Sequence, residues 1–388
     1  MSPIDHAAIK HFTVRPILEY RARYERRMDQ DFQPDRRDNR SNLLQRGRVG
    51  AEMTKDGMTV RLVYQHSSSL NWLVAGNGIA IRSDLLEANV SFKSGNKKVV
   101  LGRQRFGLGN RRLIGELDWN NVGNSFEGAR VDDRNWTLFL LRSGVQPVPS
   151  KGLLLAGAST STPLSTTSLI VKSDDAKQIH RTRLTLSTEG KSKPVAGRSL
   201  TYQVALQAGH EGGKKVQAWA ANGRYTADVQ KDLEAYGEIN IASGGASKGV
   251  NSTFDQLYPT AHDKLGLLDT TGWRNVVAAS AGLKMKFTKT SSLRLACTWL
   301  QLYSSKDAWY GAGGAANTFG TTTYKDPTGN SGKNLGHEFD LEYVTTLKSN
   351  LSLSAGCGLF VPGRFVKSFG GSRFGNQTYG YVMLGWRY

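Results

Sequence analysis

No stretch of the 388 residues approaches the roughly 20 consecutive apolar residues that a membrane-spanning helix needs, and mean hydropathy is −0.41, so helical spans are excluded. A β-strand crosses a bilayer with about 9 to 11 residues, half of them polar, so a membrane barrel stays open. Cysteine is nearly absent. Cys297 and Cys357 form no CxxC pair, and the seven histidines form no HExxH, so neither a metal site nor a cofactor site is predicted. Both cysteines fall on the apolar parity of predicted strands, about two strand spacings apart, which predicts two free thiols. Proline is scarce beside glycine, 10 against 43, which suits many strands joined by tight turns. No linker or compositional break divides the chain, and residues 1–388 are read as one domain. Acidic residues are also in deficit, 32 against 51 Lys and Arg, for a formal charge of +19.

What is present is alternation. In the last ten residues Val382, Leu384, Trp386 and Tyr388 fall at every second position, as on the lipid face of a transmembrane barrel. Period-two patterning predicts about 18 strands, near 13–27, 42–54, 58–67, 84–94, 97–106, 124–132, 135–142, 152–160, 166–173, 178–189, 197–209, 214–229, 233–242, 273–288, 292–304, 335–347, 350–360 and 377–388. Tight connections such as Lys55-Asp56-Gly57 alternate with long gaps, among them 28–41, 68–83, 107–123, 244–272, 305–334 and 361–376. Short turns on one side and long loops on the other are the layout of an outer-membrane barrel. The fold predicted is therefore all-β, a transmembrane antiparallel up-and-down barrel with short periplasmic turns and long extracellular loops, in the bacterial outer membrane. An even strand count puts both termini in the periplasm, with residues 1–12 as an N-terminal periplasmic segment. His210-Glu211-Gly212-Gly213 is short where a long loop is expected. Met1-Ser2-Pro3-Ile4-Asp5 lacks the basic and apolar regions of a secretory signal, so such a signal is expected to have been removed or replaced before this numbering begins.

A charge on the lipid face at mid-bilayer costs about 2 to 4 kcal/mol, so the charged parity belongs to the lumen. Leu18, Tyr20, Ala22 and Tyr24 oppose Arg15, Glu19, Arg21, Arg23 and Glu25. The same sorting places Arg46, Arg48, Glu52, Arg61, Glu87, Arg181, Arg183, Lys284, Lys286, Arg294, Glu338 and Asp340 inside. The parity of 97–106 is ambiguous, because apolar residues occupy both alternations there. Basic residues that alternate along strands, without a nucleic-acid motif, argue against a nucleic-acid partner. A lumen lined by guanidinium groups attracts anions and matches carboxylates in bidentate geometry, so a polyuronate could step along it. The inward carboxylates neutralise part of that ladder, and some ion pairs simply fill a wet interior.

No enzyme is predicted. Asp132/Asp133 and Asp174/Asp175 lie in predicted turns, and the glycine runs at Gly107-Leu108-Gly109 and Gly311-Ala312-Gly313-Gly314 lack the strand–loop–helix setting that cradles phosphate. His262-Asp263 and His337-Glu338 have no recognisable nucleophile to serve.

Two blocks resemble the alginate export family of bacterial outer-membrane channel proteins. The first is Gly102-Arg103-Gln104, Gly109-Asn110-Arg111-Arg112-Leu113-Ile114-Gly115, Asp118-Trp119-Asn120-Asn121 and Phe126-Glu127-Gly128-Ala129-Arg130, with Glu127 where the family usually has aspartate. The second is Phe254-Asp255-Gln256-Leu257-Tyr258-Pro259-Thr260-Ala261-His262, followed by Gly336-His337-Glu338-Phe339-Asp340. The resemblance implies an 18-stranded monomeric barrel with an electropositive constriction, gating segments and, in its best-known members, alginate export. It also implies that Arg103, Arg105, Arg111, Arg112 and Arg130 line or brace the constriction and that Glu127 is a lumen partner. The function expected is a passive channel with an arginine-rich electropositive lumen, for export or diffusion of an anionic, alginate-like polysaccharide. The alternatives are a general anion-preferring porin for small solutes, or a barrel scaffold for partner proteins that uses the 244–272 and 305–334 loops.

Overall fold

A computed structural model describes residues 12–32, 39–70, 82–143, 154–174, 180–319, 321–370 and 374–388. Residues 1–11 of the predicted N-terminal segment, Asp175 and parts of several loops lie outside these. The chain runs β1 (Thr13–Met28), β2 (Arg40–Lys55), β3 (Met58–Leu70), β4 (Arg82–Ser94), β5 (Lys97–Gln104), β6 (Phe126–Asp132), β7 (Trp136–Ser143), β8 (Leu154–Ser161) and β9 (Ser165–Asp174). It continues through β10 (Arg181–Lys191), β11 (Arg198–Glu211), β12 (Lys214–Gln230), β13 (Leu233–Ala242), the short β14 (Ala246–Ser247) and β15 (Val250–Asn251), β16 (Val276–Lys286) and β17 (Ser291–Leu302). After the small hairpin of β18 (Thr318–Phe319) and β19 (Thr322–Thr323) come β20 (Asn334–Lys348), β21 (Leu351–Pro362), the one-turn helix α1 (Arg364–Lys367) and β22 (Gln377–Arg387).

Without β14, β15, β18 and β19 these strands form a closed antiparallel barrel of 18. Closure comes from β1 against β22, in register from Glu19↔Arg387 to Met28↔Thr378. A closed sheet leaves no strand edge unpaired, which is what a backbone inside hydrocarbon requires. Turn chemistry sets the hairpins. Asp56 and Gly57 both adopt positive φ, 47° and 78°, the type I′ geometry whose twist matches the flanking strands. Short turns and both barrel-terminal strand ends share one end, and the long connections share the other. The short Gly212-Gly213 turn is the exception already visible in the sequence; β15 lies beside it, pairing in parallel with β12 at Lys215↔Val250.

The outer wall is an apolar band. Leu62, Leu138, Leu140, Leu184, Leu186, Ile239, Leu283, Leu295, Phe339, Val382 and Leu384 all point outward and exposed. A continuous apolar surface of this extent is stable only against lipid. Cys297 pairs with Phe339 and Cys357 with Leu341 across the intervening β20, and both thiols are free.

The interior departs from the sequence reading. The 105–125 and 243–275 connections, expected as extracellular loops, fold down into the barrel and pack on each other. Ile114 bridges Tyr258 in parallel, Gly115 N donates to Tyr258 O at 2.8 Å, and Tyr258 N donates to Leu113 O at 2.8 Å. Phe106, Leu113, Ile114, Phe254, Leu257, Leu265, Leu267 and Leu268 are buried between these loops and the inward faces of Phe126, Phe139, Ile170 and Leu300. These apolar side chains give the loops a reason to leave water.

Candidate functional site

The inserted 105–125 loop rests on the cationic wall of β1 and β2. Arg21 donates from Nη1 to the Asp118 carbonyl at 2.6 Å and from Nη2 to the Asn120 carbonyl at 2.9 Å. Arg46 donates to the same two carbonyls at 2.8 and 3.0 Å, and Arg23 to the Trp119 carbonyl at 2.5 Å. The carboxylate of Asp118 meets Arg105 at 2.8 Å, Arg48 at 3.0 Å and Arg46 at 3.7 Å. Arg48, 2 % exposed in its side chain, also contacts Glu19 at 3.1 Å and Gln65 at 2.9 Å. Carbonyls taken out of water need donors, and a guanidinium supplies several in one plane. Burial opposes ionisation of Asp118, but Arg105, Arg48 and Arg46 outweigh it and hold its carboxyl well below the usual range.

Trp119 is the centre of the second contact. Its ring stacks on His262 at 3.6 Å with an interplanar angle of 3°, carries the Arg23 guanidinium 4.0 Å from its centroid, and meets Tyr381 edge-on at 4.9 Å. His262 Nδ1 lies 2.8 Å from Asp269 Oδ2. Loop meets loop through this stack.

The adjoining wall at β20, joined to β1 through β21 and β22, treats the second loop in the inverse way. Leu268 N donates to Glu338 Oε1 at 2.8 Å and Leu267 N to Asp340 Oδ2 at 3.3 Å. Arg294 ties Asp263 at 2.6 Å to Glu342 at 3.0 Å, and Arg27 Nη1 donates to the Leu268 carbonyl at 2.7 Å. One wall therefore offers cations to carbonyls and the other offers carboxylates to amides.

The remaining predicted residues fall into three groups. Glu25, Arg61, Glu52, Glu87, Arg183 and Arg130 project inward in ion pairs: Arg23–Glu25 at 2.7 Å, Arg61 with Glu52 at 2.9 Å and with Glu87, Arg183 with Glu211, and Arg130–Asp132 at 2.9 Å. Arg15 and Arg181 lie on the inward parity near opposite ends, paired with Glu52 at 3.1 Å and Glu211 at 3.0 Å, and Lys284 and Lys286 are on the inward parity of β16. Arg111 and Arg112 ride on the inserted loop, Arg111 against Glu116 at 3.0 Å and Arg112 against Glu238 at 2.5 Å.

Two placements need correction. Arg103 and Glu127 are cross-strand partners whose register is that of Leu101, Leu138 and Leu140, the outer face, and the Arg103 guanidinium turns over the rim to Asp84 at 2.9 Å. The inward places in β5 go to Val100, Gly102 and Gln104, the last only 2 % exposed. Both charges sit beside the long-loop end, where the cost of a charge falls to about 0–1 kcal/mol. Sequence reasoning also missed Trp119, His262, Asp118 and Asp263 as interior contacts. Asp118 and Trp119 belong to the first family block, but no periodicity marks a loop that turns inward.

A closed 18-stranded barrel with an apolar belt, a charged interior and loops folded into its lumen defines an outer-membrane channel. The signature of the family described as alginate export matches residues 17–150 and 165–379, and the chain belongs to that family. The protein is thus a channel of the bacterial outer membrane and not an enzyme. In fold it is similar to OccD3 (OpdP) of Pseudomonas aeruginosa, with a TM-score of 0.65 and 11 % identity over 97 % of this chain and 91 % of that one. OccK1 (OpdK) of the same organism gives 0.64 and 13 % over 97 % and 98 %, and its outer membrane protein OprD gives 0.62 and 12 % over 96 % and 93 %. Among curated protein sequences none matches significantly.

Proposed function

We propose that this channel passes anions, and that its solute is an acidic polysaccharide of the polyuronate type or its oligomers, moving down its own gradient. The carrying observation is the cluster of Arg21, Arg46, Arg48 and Arg105 around Asp118, where, among the described residues, four guanidinium groups meet only the Asp118 and Glu19 carboxylates. Low-dielectric walls focus such a field along the lumen, and guanidinium groups recognise carboxylates in a planar, two-point fashion. Asp118 already occupies that shelf as the chain's own carboxylate. A passing uronate meets cations whose attraction is partly spent, which keeps binding weak enough for release. The family membership supports the same solute class.

The scaffold reading loses ground because residues 254–275 lie inside the barrel instead of on an outer contact surface. Proteoliposomes loaded with oligouronate or with a neutral glucan of equal length test the proposal. Faster efflux of the oligouronate is expected; equal rates for the two would refute an acidic-saccharide channel.

A further inference from the structure

Toward the short-turn end, the two inserted loops, the 162–164 turn and the inner faces of β9–β13 line a second, open-mouthed space. It is a cavity of about 500 Å³, within the range of small-ligand sites. Arg112 and Lys264 reach its lining from the two loops, and Thr166, Glu189, Asn222 and Arg224 from the wall. The Asp118 cluster contributes none of its residues.

Its charges do not close on themselves. Glu238 is shared by Arg112 at 2.5 Å and Arg224 at 2.6 Å, while Asp263 is engaged by Arg294 at 2.6 Å from outside the cavity. Arg112 is only 8 % exposed, and its buried Nη1 has no hydrogen-bond partner. That nitrogen has no surface open to the cavity: the guanidinium is held by Glu238 and lies 5.5 Å from the Trp273 ring centroid, which leaves Lys264 as the cation that a ligand reaches. Lys264 stands among Arg112, Arg224, Glu238 and Asp263; burial first, then Arg112, push its ammonium group below its ordinary pKa. Around this positive corner stand uncharged or hydrogen-bonding groups, the Thr166 hydroxyl, the Asn222 amide and the Glu189 carboxylate, which accepts from Asn110 N at 2.7 Å.

We propose that this pocket is a saccharide subsite separate from the arginine cluster, taking one uronate residue with its carboxylate on Lys264 and its hydroxyls on Thr166, Asn222 and Glu189. This deepens the proposed function and rests on it for the choice of an acidic sugar. Two features set the chemistry: the cationic corner selects one negative charge, and the mixed polar wall selects a polyol. A small carboxylate would satisfy only the first.

The test is calorimetric titration of the purified full chain in detergent with glucuronate, glucose and acetate. Glucuronate is expected to bind at least tenfold tighter than glucose or acetate, and both K264M and K264Q to weaken it at least tenfold. Equal binding of acetate or glucose, or either variant binding like the wild-type protein, overturns the subsite. A measurement on the wild-type protein guards against a variant that fails to fold. Glucuronate should shield Lys264 from acetylation as read by mass spectrometry, and equal labelling with and without it overturns the proposal. Oligouronate efflux without glucuronate binding would remove the subsite and leave the channel. Glucuronate binding without oligouronate efflux would keep the subsite and remove the channel's assigned solute.

Discussion

Replacing Asp118 by asparagine keeps the shape of the inserted loop and removes the carboxylate that Arg105, Arg48 and Arg46 share at 2.8, 3.0 and 3.7 Å. Losing one partner of a charge-assisted hydrogen bond costs about 1.5 to 3 kcal/mol. The Asp118 side chain is 40 % exposed, so water screens part of the interaction and the lower figure applies, about 1.5 kcal/mol. That is about tenfold in the ratio of seated to released loop. The carbonyl bonds from Arg21, Arg23 and Arg46 survive the substitution, so the loop loosens without leaving the lumen. Three guanidinium groups also lose a counter-charge, which strengthens the anion preference. Single-channel recording in a salt gradient reads both effects. Asp118→Asn should show more frequent transitions to a wider conducting level and a reversal potential shifted toward the anion. Unaltered current fluctuations and reversal potential would refute the view that Asp118 seats the loop.

Four further outcomes follow. Replacing Arg21, Arg48 and Arg130 together by glutamate should turn the ion preference toward cations, whereas Arg103→Glu alone, on the outer face, should leave the reversal potential near that of the parent protein. Trp119→Ala removes the stack that joins the two loops, and should raise proteolysis within 105–125 in detergent without changing the strand content read by circular dichroism. The Asp118 carboxyl is depressed in the folded protein, so its contribution to loop seating is complete above its unfolded pKa of about 3.9 and fades as pH falls through the lower folded value. The difference in channel fluctuations between the wild-type protein and Asp118→Asn should therefore be unchanged from pH 7 to pH 5 and shrink only in stronger acid. Under oxidising conditions Cys297 and Cys357 should form no intramolecular bridge, as non-reducing mass analysis would show, because β20 separates their strands.

The wall of this protein was legible because a barrel strand must satisfy two solvents at once. Leu18, Tyr20 and Tyr24 against Arg21, Arg23 and Glu25 can be sorted only one way, and the same holds for Val382, Leu384 and Trp386. Asp56-Gly57 announced its turn through the backbone angles it alone tolerates cheaply. Where both parities are apolar, as in Val99-Val100-Leu101, the period says nothing, and Arg103 and Glu127 were turned the wrong way. The interior was less legible for a different reason. Trp119 and His262 lie far apart in sequence, and their stacking depends on two loops entering one lumen. Arginines facing inward suggested an open water column; the carbonyls of Asp118, Trp119 and Asn120 that they hold could be known only from the path of the chain.

The most direct test of the account is single-channel current through the wild-type protein in a planar bilayer, with a salt gradient and with polyuronate added to one side. Anion preference is expected, with a polymer-dependent interruption of current that a neutral polymer of the same length does not produce. Cation preference, together with current that polyuronate leaves untouched, would contradict it.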